Sequence, residues 1–126
     1  QTCALPISVL LSARSLTPMR DGELIADRAY RLYEHALRQQ ASLAVSAAAG
    51  VFYDGRFGGL AVVAVGMAAP TGCGRLLGTD DCQPPSLTVL DVDAKGKPQV
   101  SFLTGPDWRH VAQRQELPRE VGKVRR

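Results

Sequence analysis

Only one segment of this chain carries a helical repeat; the remaining apolar runs are short and bounded by glycine, proline or polar residues. Between about Asp27 and Gln40, the residues Ala29, Leu32, Tyr33, Ala36 and Leu37 fall at i, i+3, i+4, i+7 and i+8 and make one apolar stripe. Arg28, Arg31, His35 and Arg38 take the opposite face, so His35 reads as a solvated helix residue rather than a ligand. Asp27 suits the helix start, and Glu34 precedes Arg38 by four residues, the favourable orientation for a surface pair. Before the helix, Ile7 to Leu11 reads as a short buried strand, followed by a loop with Pro18 and Asp21-Gly22 as turn signals. After it, Leu43-Ala44-Val45 is a brief strand. Val51 to Asp54 and Leu60 to Gly66 pair through the loop Gly55-Arg56-Phe57-Gly58-Gly59. Ser86 to Val92 and Pro98 to Leu103 make a second hairpin around Asp93-Ala94-Lys95-Gly96-Lys97. Strand, helix, strand and two β-hairpins predict a mixed α/β domain.

Composition permits this. A chain of 126 residues, 45% hydrophobic and 21% charged, argues against disorder, collagen and coiled coil. A chain of this size buries roughly two-thirds of its unfolded surface, enough for a core without metal or disulfide staples. The longest apolar stretch, Leu60 to Ala69, is half of the roughly 20 residues that span a bilayer, so no membrane partner is expected. The net charge of +3 hints at nucleic acid until it is located. Six Arg/Lys against three Asp/Glu between Asp107 and Arg126 account for all of it, and the body balances nine bases against nine acids. A basic tail over 106–126 without interleaved aromatics reads as a solvated terminus, the alternative being a phosphate-binding arm. No specific nucleic-acid partner is expected.

The opening Gln1-Thr2-Cys3-Ala4-Leu5-Pro6-Ile7 resembles the in-frame translation of a sequencing-library adapter, CAG-ACG-TGT-GCT-CTT-CCG-ATC, at seven of seven positions. The expectation is that residues 1–7 are not native and that the coding region starts inside a longer, bacterial gene of metagenomic origin. The compartment then stays open between cytoplasm and export. Setting Cys3 aside leaves Cys73 and Cys82, which bracket eight residues of a Gly-rich polar loop from Pro70 to Pro85. They read either as a disulfide of an oxidising compartment or as two ordinary thiols.

Chemistry-bearing patterns are few. His35 and His110 are the two histidines, and no His, Cys, Asp or Glu spacing matches a zinc site. The glycine clusters lack the Lys-Ser/Thr of a phosphate loop, and there is no Gly-x-Ser-x-Gly elbow. Asp80-Asp81 in the long loop could hold a hard cation or simply be solvated. Tyr53 and Asp54 beside Gly55 could face a cleft or shape the hairpin. These four are the candidate cleft residues, and they name no reaction by themselves.

The order of elements resembles the C-terminal half of a calcineurin-like metallophosphoesterase, over about residues 8–105. The resemblance rests on Val9-Leu10-Leu11-Ser12, on Ala29-Tyr30-Arg31-Leu32-Tyr33-Glu34, and on Leu43-Ala44-Val45-Ser46 ahead of Phe52-Tyr53-Asp54-Gly55. Leu60 to Gly66 and Leu87-Thr88-Val89-Leu90-Asp91-Val92-Asp93 complete it. It implies part of a calcineurin-like β-sandwich, mixed sheets with a flanking helix, whose partner is the missing N-terminal half of the same domain. That family uses two divalent transition metals about 3.5–4 Å apart to clamp phosphate and generate hydroxide. Its ligand positions are changed here. Ser-His-x-Pro is replaced by Ser12-Ala13-Arg14-Ser15, and Gly-His-x-His by Ala47-Ala48-Ala49-Gly50. Methyl groups and a hydrogen donate no lone pair, so the expectation is a non-catalytic relative with no metal or catalytic residues and no cofactor of its own. The alternatives are an active hydrolase with an altered ligand set completed upstream and drawing on Tyr53, Asp80 or Asp81, or an unrelated small α/β interaction domain.

Overall fold

Side-chain alternation, with its period of two along a strand, decides what each short apolar run faces. A computed structural model describes residues 9–20, 23–39, 41–47, 50–94, 98–112 and 114–121. The adapter-like residues 1–7 lie outside these. The elements are β1 (Val9–Ser12), α1 (Asp27–Arg38), β2 (Leu43–Ser46), β3 (Tyr53–Phe57), β4 (Leu60–Ala64), β5 (Ser86–Val92), β6 (Pro98–Thr104) and β7 (His110–Ala112). A 3-10 turn spans Arg114–Glu116. The first sheet has the order β1-β2-β4-β3, with β1, β2 and β4 parallel and β3 antiparallel at the edge. Parallel β1 and β2 need a crossover between them, and α1 is that crossover. The second sheet is an antiparallel meander, β5-β6-β7. The chain is therefore mixed α/β, with one helix and two sheets, one of them mixed.

The mixed sheet is the middle layer. Ala44, Phe57, Leu60, Val62 and Ala64 cluster with Ala29, Tyr33 and Ala36 of α1 on one side. On the other, Leu43 and Val63 cluster with Phe52 and with Phe102 of β6, and Val45, Ala61 and Val100 pack against them. Tyr33 anchors the helix side: it is fully buried, its hydroxyl donates to the Phe57 carbonyl at 2.9 Å, and its ring meets Phe57 edge-on. Burial, with Tyr30 beside it, pushes the Tyr33 hydroxyl up from 10.0 to about 12. The fold thus keeps a proton that the unfolded chain releases near pH 10. Stability contributed by this group is complete below that pH and is lost as pH rises towards 12. Denaturant midpoints measured through this alkaline window should decline in the native protein, with a shallower decline in Tyr33→Phe.

Several elements differ from the sequence reading. The hairpin turn is Gly58-Gly59, with Gly58 at φ 60°, because Phe57 belongs to β3 and is buried against α1. Gly55 lies within β3 and not in a loop: a Cβ there would collide with the Tyr53 ring and hydroxyl, which fold across it. Leu32 completes the helical stripe yet is 48% exposed, because β1 is the sheet edge and nothing described lies beyond it. Residues 110–112 and 114–121, read as part of a solvated tail, belong to the fold. β7 extends the second sheet, and Val121 is buried with its N–H donating to the Arg56 carbonyl at 2.9 Å. Three-residue β7 carries too short an alternation to register as a strand. Among the described residues, no helix is long and apolar enough to cross a membrane.

Candidate functional site

Parallel pairing brings the carboxyl ends of β1 and β2 side by side, with Ser12 opposite Ser46. The Ala47 N–H donates to the Ser12 carbonyl at 3.2 Å, and the Val65 N–H to the Ser46 carbonyl at 2.8 Å. The segments beginning at Ser12 and at Ser46 therefore meet at one end of the sheet. The Ser12 hydroxyl closes a local turn, donating to the Arg14 carbonyl at 2.7 Å. Beyond it stand Ala13 and Ala47, whose methyls coordinate nothing. Ala48 and Ala49 lie outside the described residues. Gly50 adopts φ 70°, and a Cβ placed there would lie 3.3 Å from the Arg20 guanidinium and 3.7 Å from the Met67 sulfur. A cationic side chain and a thioether thus border the position.

The long loop from Met67 to Pro85 folds onto this end. Cys73 and Cys82 are joined in a disulfide with Cα atoms 5.2 Å apart, so the disulfide alternative is the one the structure has. The Gln83 side chain brackets Phe52, accepting from its N–H and donating to its carbonyl, both at 2.8 Å. Leu76 is buried in the main core, and the Leu77 N–H donates to the Met19 carbonyl at 2.8 Å. Asp80 and Asp81 stand exposed on this loop.

The other two candidate residues are placed differently. Tyr53 is fully buried, and its hydroxyl donates to the Pro118 carbonyl at 2.8 Å, tying residues 117–121 to β3. Asp54, half-buried, lines a separate hollow of about 340 Å³ with Gln115, Leu117, Pro118 and Arg119. His110 forms an exposed pair with Glu116 at 3.4 Å, the type of contact that adds little stability. His35 is exposed on α1, as its position in the helical repeat predicts. Among the described residues, no group of three or more His, Cys, Asp or Glu side chains is placed to hold a metal ion.

No protein-family model, curated protein or solved structure matches the chain.

A larger hollow, about 670 Å³, opens beside the end of β1 between the segment from Ser12 to Leu16 and the start of α1. Its wall includes Arg14 and Arg28, which the sequence reading did not single out; Arg28 was assigned to the solvated helix face. The available signal was positional, since the two arginines sit at opposite ends of the segment that joins β1 to α1, one after the strand and one in the first turn of the helix.

Proposed function

We propose that the chain is a non-catalytic, metallophosphoesterase-like scaffold, part of a calcineurin-like sandwich that keeps the architecture of an active centre without its metal ligands. The observation that carries this reading is the meeting of the Ser12 and Ser46 segments at the carboxyl end of the parallel strands. That is where two motifs separated by a helix would have to converge to share a metal pair. Ala13 and Ala47 follow the two serines at this convergence and offer no side-chain donor atom, and Gly50 further on offers none either. The layer order adds support, with a mixed sheet between a helix and a second sheet. The position of β1 adds more: it ends the sheet with no described strand beyond it, leaving an edge on which further strands of such a domain would pair.

The reading is tested by dialysing the purified chain against manganese, iron or zinc, measuring bound metal, and assaying a chromogenic phosphodiester and monoester. The expected result is no retained metal and no turnover. One equivalent or more of retained metal together with hydrolysis would overturn the reading and favour an altered ligand set.

A further inference from the structure

The hollow beside β1 shares Ser12 and Ala13 with the strand-end convergence and has the dimensions and position of a ligand site. Its volume of about 670 Å³ lies within the roughly 300–1,000 Å³ of small-molecule pockets. It opens outside the carboxyl end of a parallel strand and at the start of the crossover helix, where open α/β sheets bind their ligands. Two cations line it, Arg14 and Arg28, and no ion pair or side-chain hydrogen bond engages either guanidinium among the described residues. Among the described residues the one carboxylate of the wall, Glu23, is already occupied: its Oε2 accepts from the backbone N–H groups of Met19 at 2.8 Å and Arg20 at 3.2 Å. The rest of the wall is largely apolar, and it includes two leucines that water otherwise touches, Leu24 at 96% and Leu32 at 48% exposed. Ser15 belongs to the same wall, and its buried hydroxyl has no hydrogen-bond partner.

Unpaired guanidinium groups call for an oxyanion, since their planar forks match carboxylate and phosphate oxygens. Exposed leucines beside them call for hydrocarbon. We infer that this hollow binds a small organic oxyanion, a carboxylate or phosphate monoester bearing a short apolar arm. Arg14 and Arg28 hold the head, and Leu24 and Leu32 cover the arm. This site does not depend on whether the chain is a phosphoesterase relative, and its test reads neither metal nor hydrolysis.

The test titrates the full, ¹⁵N-labelled chain with hexanoate, hexyl phosphate, inorganic phosphate and hexanol while amide shifts are followed. Hexanoate, hexyl phosphate or both should give saturable shifts confined to residues 12–16 and 23–32. Whichever saturates names the head group. Arg14→Gln and Arg28→Gln, both exposed positions, should each weaken that binding about tenfold with the remaining spectrum unchanged. Any of these results would overturn the inference: no saturation by either acid, shifts scattered over other elements, equal binding by hexanol, or glutamine variants that bind like the parent. Inorganic phosphate binding as tightly as hexyl phosphate would remove the role assigned to the leucines, and with it the inference.

Discussion

Replacing Phe102 by alanine should lower stability by about 3–5 kcal/mol, the usual cost of truncating a buried aromatic ring. The expectation is specific because of where the ring sits. Phe102 is 2% exposed, and its centroid lies 4.9 Å from that of Phe52. It is also the one fully buried member of the inter-sheet cluster that comes from the antiparallel sheet; Leu43, Phe52 and Val63 come from the other side. Removing it empties the joint between two layers rather than one corner of a core. Against a net stability of about 5–15 kcal/mol for a domain, such a loss is a large fraction. Urea unfolding should show a much lower midpoint, and Leu87→Ala, at a half-exposed position on the outer face of β5, should stay within about 0.5 kcal/mol of the parent. Equal effects at the two positions would mean that the sheets do not pack through Phe102.

The second large effect concerns the bridge between Cys73 and Cys82. Nine positions separate them in sequence. Closing a loop of this length removes enough freedom from the unfolded chain to be worth about 2–3 kcal/mol by the chain-entropy account. The double variant Cys73→Ala/Cys82→Ala should lose that amount in denaturant unfolding and should become insensitive to added reductant, whereas the parent should fall to the same level when reduced. The loop has other attachments, the buried Leu76 and the Gln83 bonds to Phe52, so the variant should still fold. An unchanged midpoint would show that those attachments, and not the covalent link, restrain the segment.

Comparison of particular residues shows what a linear reading captures. The stripe from Ala29 to Leu37 identified α1 because one face of a helix packs against one sheet, a local rule with a visible period. Leu32 broke the rule for a non-local reason: its exposure depends on β1 being an edge, which no window around residue 32 contains. Gly55 resembled a turn residue, yet it is required inside a strand because the Tyr53 ring lies over it. The β5–β6 hairpin emerged with its strands close to where the sequence put them, since two seven-residue runs flank a turn rich in glycine and charge. Three-residue β7 was silent. At the candidate sites the same division holds. Ser12 and Ser46 could be expected to meet once parallel pairing was assumed, but the hydroxyl of Tyr53 had an invisible partner in Pro118, 65 residues away. Arg14 and Arg28 could not be recognised as neighbours of one hollow until the crossover was folded.

The two margins of the mixed sheet have different consequences for stoichiometry. Along β3 the main chain is engaged at Arg56, which pairs with Glu120 and accepts from Val121. Along β1 no described strand lies outside Val9–Ser12. A sheet with two bare margins can recruit copies on both sides and grow into a fibre, whereas one with a single bare margin is satisfied after one addition. Self-association through this layer would therefore close as a two-fold pair, β1 against β1, and stop.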